Sequence, residues 1–511
     1  MNVLMPNLKG RWAPRASGWK LRAAGGALAG LAAGSLCQVR AQSFFNPYTT
    51  PLPAYGSTLN SGEGAGDNFL INRGVPYSPI GAAPMHDYNM KFGPVTASVG
   101  GALSTSYYDN YNLVPEGSGL KQEDELSINP SLSIAFQWPI ARDSTLHFDV
   151  GFGYAIFLNH PEFDRFTISP ASAWDYQFKV GDVRFTVVDH IGTTGDSFSQ
   201  RTDLTGTGSA SAVQFRRLSN TIGLTAAWQP TRLYTVSGSY ALDFDHGLGD
   251  SFGLADHLTH TFSTAVFRRL DSHWTVGLSA SAFRNEYLEG IQNNSTGYGA
   301  GPTVSWQPSP FLNFSGSVRY NTAKADSNGT IGDRNGSSGA GYDFSVQHII
   351  NRHLNHVLSV SSGIDLGVGV NFNNTFAITY RLGWQISKAM TLNFNANRAV
   401  TTQSGAGYDF VNFAPGDVGV DPATHQLYLR DSAGVFEPVA AGALVDFGHG
   451  LLLLPRPLEE SEAYNFGLGT SFQLTRRLTA SVNYIHTLRL SNLPLHDYNQ
   501  NTYTLSLGYR F

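Results

Sequence analysis

Apolar and polar residues alternate one by one along most of this chain. One run reads Leu126, Ile128, Pro130, Leu132, Ile134, Phe136 and Trp138 at its even positions. Others read Leu146, Phe148, Val150, Phe152, Tyr154 and Ile156, then Phe376, Ile378, Tyr380, Leu382 and Trp384, then Tyr464, Phe466, Leu468, Phe472 and Leu474. The residues between them are Ser, Thr, Gly, Asn, Gln, Asp or Arg, with an occasional Ala or Phe. A period of two sends successive side chains to opposite faces of a β-strand. Each run therefore predicts a strand with one apolar face and one wet face.

The pattern predicts strands near 95–108, 125–138, 145–157, 166–179, 183–190, 214–228, 232–245, 257–268, 273–287, 296–306, 311–322, 340–350, 354–365, 373–386, 390–402, 461–474, 478–489 and 500–511. Alternation is shortest in 183–190 and broken by glycine in 354–365. Short connectors (139–144, 180–183, 229–232, 269–272, 307–310, 351–353, 386–389, 475–477) alternate with longer polar ones such as 190–213, 246–256 and 321–339. A soluble sandwich has no reason to alternate its loop lengths. A transmembrane barrel does, with short turns at one mouth and long loops at the other. The expected fold is all-β: an antiparallel transmembrane β-barrel of about 18 strands, with 16 as the alternative, an even number in either case.

Five tryptophans sharpen that reading. Trp138, Trp228, Trp306 and Trp384 each end a strand at a short connector, and Trp274 begins the strand after another. All are in phase with the apolar face. Tryptophan favours the boundary between lipid and water, where its ring is in the apolar layer and its N–H is wet. Together they are expected to form an aromatic girdle beside the short turns.

Composition agrees and excludes alternatives. Charged residues are only 14% of the chain, against about 25% in soluble domains. Yet the mean hydropathy is −0.16, so the chain is not greasy. That combination suits strands that face lipid on one side and water on the other. Beyond the first forty residues no apolar run approaches the roughly 20 residues of a membrane-spanning helix.

Residues 1–41 read as an export signal. Lys9, Arg11, Arg15, Lys20 and Arg22 precede an apolar stretch of small residues at 23–36, and Val39-Arg40-Ala41 is an acceptable cleavage site. The single cysteine, Cys37, lies before that site; Leu36 beside it argues against a lipid-anchored cysteine. The remainder holds 27 basic and 38 acidic residues, a net charge of −11, which disfavours a nucleic-acid partner. Residues 42–90, rich in Pro, Asn, Gly and Ser, are expected to be an extended periplasmic segment, and 91–511 the barrel.

The strand at 500–511 ends on Tyr509, Arg510 and Phe511, with Tyr503, Leu505, Leu507, Tyr509 and Phe511 in one phase. This aromatic end, the Trp-Gln-Pro turns at 228–230 and 306–308, and the stretch Tyr107-Tyr108-Asp109-Asn110-Tyr111 together resemble the porin-like β-barrel family of Gram-negative outer membranes. The last stretch is similar to a Tyr-Asp-x-Asn pattern near the first strand of that family. The resemblance spans nearly the whole chain after the signal. It implies an outer-membrane channel, with Phe511 and Tyr509 as the signal read by the barrel-assembly machinery. Some family members accompany polysaccharide-export systems.

No catalytic set is legible: there is no Gly-x-Ser-x-Gly elbow, no P-loop and no His-Glu-x-x-His. The neighbours Asp189-His190, Asp245-His246 and Asp256-His257 invite comparison with outer-membrane proteases of the omptin type, which are much smaller barrels. The histidines are scattered, and His353 and His356 at a turn read as solvated. Neither enzyme activity, a metal nor a cofactor is expected. By parity Asp149, Asp175, Asp243, Asp245, Asp343, Arg319, Arg381 and Arg510 face inward. They are polarity that any wet lumen needs, or a selectivity ladder for ions; Asp149, Asp243, Asp245, Asp343, Arg319 and Arg381 are the candidates for the latter. The long insertion at 405–460 carries Leu451 to Leu454. It is expected either to fold into the pore with its leucines on the wall or to cap the barrel outside. The functions to weigh are a channel for small polar solutes, saccharides included, and a closed barrel serving structure or surface polysaccharide. Membrane lipid and the assembly machinery are the expected partners.

Overall fold

The alternating segments pair edge to edge into one antiparallel sheet that closes on itself as an 18-stranded barrel. The computed structural model describes residues 90–511, except 115–120, 170, 202–209, 249–255, 330–334, 367–369, 406, 413–417, 421–425, 431–435, 440–442, 447–450 and 494–495. The expected export signal and almost all of the 42–90 segment lie outside the described residues.

A short β1 (Met90–Phe92) folds back on β2 (Val95–Tyr108). Then follow β3 (Glu125–Ala141), β4 (Ser144–Phe157), the split strand β5 (Arg165–Ile168) and β6 (Ala173–Val180), β7 (Val183–Arg201), β8 (Ala210–Trp228) and β9 (Tyr234–Gly247). Next are β10 (His257–Arg269), β11 (Trp274–Tyr287), β12 (Ser295–Ser309), β13 (Leu312–Ala325), β14 (Ser337–Asn351), β15 (Leu354–Leu366), β16 (Phe372–Ser387) and β17 (Met390–Gln403). The insertion supplies β18 (Gly407–Asn412), β19 (Val418–Val420), β20 (Leu427–Arg430), β21 (Phe436–Pro438), β22 (Leu444–Asp446) and β23 (Leu451–Arg456). Three more strands complete the wall: β24 (Glu460–Gln473), β25 (Leu478–Ser491) and β26 (Tyr498–Arg510). The barrel closes between β2 and β26, from Gly100 opposite Arg510 to Tyr108 opposite Thr502. The Phe511 N–H adds a bond of 3.1 Å to the Val99 carbonyl.

Closure satisfies the sheet's backbone groups without help from water, which a strand wall in lipid requires. The outer phase carries the apolar side chains. Leu278 and Tyr298 are each 66% exposed, and Leu103, Leu132, Phe262 and Leu505 also lie open on that face. The inner phase carries Ser, Thr, Asn and charges such as Asp149, Asp243 and Arg381, whereas Asp189, Arg284, Arg398 and Glu462 lie in the outer phase toward the long-loop end. Among the described residues no helix is long and apolar enough to cross a membrane, which says nothing against strands.

Three local expectations change. The strand expected at 183–190 runs on to Arg201 and pairs with Ala210, so much of the expected 190–213 connector is a hairpin. Beyond about residue 191 the sequence period of two disappears while the backbone pairing continues. The strand expected at 166–179 is split into β5, which ends at Ile168, and β6, which begins at Ala173. The insertion holds two small three-stranded sheets, β18–β23–β22 and β19–β20–β21.

Candidate functional site

Alternate residues of every strand face the lumen, so its chemistry follows from strand register. Asp149 on β4 is half-buried, and on the neighbouring strand Asp175 accepts His147 Nδ1 at 3.2 Å. On β9, Asp243 accepts the Thr221 hydroxyl at 2.6 Å. Asp245 accepts the Ser219 hydroxyl and faces His257 Nε2 at 3.4 Å. On β13, Arg319 donates to Asp343 of β14; its side chain is only 1% exposed, whereas that of Asp343 is 36% exposed. Arg381 lies two strands further on, on β16, and Arg510 sits at the short-turn mouth.

The six selectivity candidates are therefore not one cluster. β4 is the third barrel strand and β14 the twelfth, so in a ring of 18 Asp149 faces the Arg319–Asp343 wall across the lumen. Asp243 and Asp245 share β9, and Arg319 and Asp343 neutralise each other. No sequence signal pointed to the Arg319–Asp343 pair, because pairing depends on the register between strands.

One stretch of the wall, on β17, β24 and β25, is flat and uncharged. Asn395 lies over Gly467 and Asn483 over Gly469, each directly opposite in register, and a Cβ on either glycine would collide with the amide. Glycine there lets the amides lie along the wall rather than project into the bore.

The five tryptophans, Trp138, Trp228, Trp274, Trp306 and Trp384, are all exposed on the outer face at the short-turn mouth. Trp274 and Trp306 stack with ring centroids 5.3 Å apart. The adjacent Asp189 and His190 point to opposite faces: Asn220 donates to Asp189, while His190 shares its inner phase with the neighbouring Thr221. Neighbours along a strand cannot converge on one substrate. Asp245 and His246 likewise take different partners, His257 and Asp256. Among the described residues no three His, Cys, Asp or Glu side chains gather to hold a metal.

Two features at the long-loop mouth had no alternating pattern to reveal them. The first is built from the Tyr107 to Tyr111 stretch. The Asn501 backbone N–H and side-chain amide both donate to Asp109, at 2.7 and 2.5 Å. Asn110 donates to the Val114 and Asn499 carbonyls at 2.9 and 2.8 Å, and Gln500 donates to the Asn110 carbonyl at 2.8 Å. The first and last strands are thus laced together above the seam. Tyr111 turns in against Phe157 and stacks on His160, with centroids 5.3 Å apart. His160 Nδ1 is 2.5 Å from the fully buried Glu125, and Nε2 is 3.2 Å from Glu123. Burial alone would lower the His160 imidazole, but the bonds to Glu125 and Glu123 outweigh it and raise it above its ordinary value.

The second feature is the insertion. Leu452 and Leu454 pack with Val439, Val418, Leu427, Ala443 and Val445 in a small core of its own. That corrects the expectation that these leucines lie on the barrel wall: the strand alternation of β23 directs them into the insertion's own sheets. Where the insertion rejoins the wall, Glu459 accepts bonds from Arg489 at 2.8 Å, Ser491 at 2.9 Å and His496 at 3.1 Å. β18 follows the fifteenth barrel strand yet packs beside β7, the fifth. In a ring of 18 those strands are on roughly opposite sides, so the insertion reaches across the mouth.

No family model and no curated relative matches the chain. Among solved structures it is similar to Pseudomonas aeruginosa OccK2 in complex with glucuronate, at a TM-score of 0.42 and 10% identity over 81% of this chain and 98% of that one. It is also similar to Acinetobacter baumannii OccAB3, at a TM-score of 0.39 and 10% identity over 81% and 99%. A third is a BenF-like porin from Pseudomonas fluorescens Pf-5, at a TM-score of 0.40 and 8% identity over 81% and 99%. By its own geometry the chain is a closed 18-stranded antiparallel barrel with an apolar outer face and a polar lumen.

Proposed function

We propose that the protein is an outer-membrane channel for passive or weakly selective diffusion of small polar solutes. The observation that carries this reading is a polar-lined lumen inside a ring of 18 strands, since barrels of 16–18 strands are wide enough for an aqueous channel. The outer apolar face meets lipid, and the five tryptophans form the girdle at its short-turn edge. Asp149, Asp243 and Asp245 bias the lumen toward cations on one wall, with Arg381 on the other; Arg319 contributes little, because Asp343 already compensates it. Phe511 and Tyr509 serve as the assembly signal, and residues 1–41 as the cleaved export signal.

Reconstitution of the refolded protein in a planar bilayer tests the reading. Stable, stepwise currents in potassium chloride are expected. A silent bilayer overturns the channel and favours a closed structural or polysaccharide-associated barrel. That second reading draws its support from the insertion that crosses the long-loop mouth and from the inward turn of Tyr111.

A further inference from the structure

One row of the lumen wall is uncharged from strand to strand. Thr275, Ser305, Ser315, Ser345, Ser359 and Thr379 lie directly opposite one another in register on β11 to β16. All six are half-exposed on the inner face. The row continues through Asn397 and Asn465, then Thr487 and Gln500. It starts beside Trp274 at the short-turn mouth and ends at Gln500, which donates to Asn110 at the long-loop mouth. Strands in such barrels tilt by about 35–45°, so a row of paired residues climbs the wall as a spiral.

We propose that this spiral is a binding track for neutral, hydroxyl-rich chains, of which a linear oligosaccharide is the class that fits. Every side chain in the row is a hydroxyl or an amide, able to donate and to accept. A sugar hydroxyl both donates and accepts, and a row of hydroxyls and amides meets both needs. Successive strands are about 4.8 Å apart, so the six exposed positions repeat polar groups over roughly 24 Å. On the long-loop side the next inner row runs Ser317, Asp343, Ser361, Ala377, Ala399, Ala463 and Arg489: its small residues leave room for a chain to lie along the track, and its two charged members are each ion-paired, Asp343 with Arg319 and Arg489 with Glu459.

The second observation is at the track's upper end. Asn397 and Asn465 are directly paired and only 4% and 1% exposed. The Thr379 hydroxyl donates to the Asn397 oxygen at 3.0 Å, and the Thr487 hydroxyl to the Asn465 oxygen at 2.8 Å. Both side-chain Nδ2 donors then have no partner among the described residues. Unmet buried donors destabilise a wall unless something accepts from them. Two side by side in one row are a place for the oxygens of a bound chain.

The proposal rests on an accessible lumen, and its test separates the two ideas. Equilibrium dialysis of labelled cellohexaose against the refolded full chain in detergent reads binding whether or not a bilayer conducts. Wild-type protein is expected to bind the hexaose better than hexagalacturonate, its charged counterpart. The triple variant Ser315→Ala, Ser345→Ala, Ser359→Ala is expected to bind roughly tenfold more weakly, from three lost hydroxyl contacts. No hexaose binding by wild type, or equal binding of the charged probe, overturns the track, and that comparison needs no variant to fold. Equal hexaose binding by the folded triple variant overturns it too. A silent bilayer with intact hexaose binding removes the channel and leaves the track standing.

Discussion

Replacing Asp343 by asparagine tests how the wall holds its charges. Arg319 is 1% exposed and Asp343 36% exposed, so the pair is dry on one side and wet on the other. Asp343→Asn keeps an oxygen near the guanidinium and removes the charge, stranding a buried cation. Breaking a buried pair from one side costs about 3–5 kcal/mol, and the retained acceptor sets the expectation at the low end, about 3 kcal/mol. That is roughly a hundredfold in the folding equilibrium. Arg319→Met instead fills the dry side with an apolar chain and leaves Asp343 facing lumen water, which costs about 1 kcal/mol or less. The double variant should resemble Arg319→Met alone. Urea unfolding of the barrel refolded in lipid vesicles, followed by tryptophan fluorescence, measures all four proteins. If Asp343→Asn destabilises no more than Arg319→Met, the buried-cation reasoning is wrong.

Other expectations follow from the seam, the mouth and the loops. Ser104 and Ser506 are paired across the closure, so Ser104→Cys with Ser506→Cys should form a disulfide in the folded barrel, while Ser104→Cys with Leu505→Cys, on opposite faces, should not; equal yields on a non-reducing gel would disprove the register. Deleting 410–455 should raise single-channel conductance, because the insertion spans the mouth; an unchanged current would mean that it does not obstruct the pore. His160 is raised above its ordinary 6.5, so its hold on Glu125 and Glu123 is fully present below that pH and is lost as pH rises through the folded value. Limited proteolysis of the 109–124 loop should accelerate over that rise in wild type and lose its pH dependence in His160→Asn. Removing Phe511, whose N–H bonds Val99 and whose ring covers Gly101, should slow assembly in cells more than it alters the current of barrels that form; normal assembly would end its role as a signal.

The sequence was most legible where lipid imposes a rule. On Leu126 to Trp138 or Phe376 to Trp384, one face must be apolar and the other wet, and that contrast is written residue by residue. It fails in Gly192 to Arg201, where the backbone pairing continues but the residues no longer alternate. It fails again at Leu452 and Leu454, whose apolar character is plain but whose packing partners, Val418 and Val439, are fixed only by folding.

By itself, then, the sequence pointed to an antiparallel barrel of about 18 strands with 16 left open, its alternating turns and loops, and the parity that turns Asp149 and Arg381 inward. Local alternation suffices for that, because the side-chain period of a strand is two. Tertiary structure alone decided which residues meet across strands. Register paired Arg319 with Asp343, aligned Thr275 through Gln500 into one uncharged row, and laced Asp109 to Asn501. Those contacts join positions far apart in the chain, and a period of two carries no information about which distant strand lies opposite.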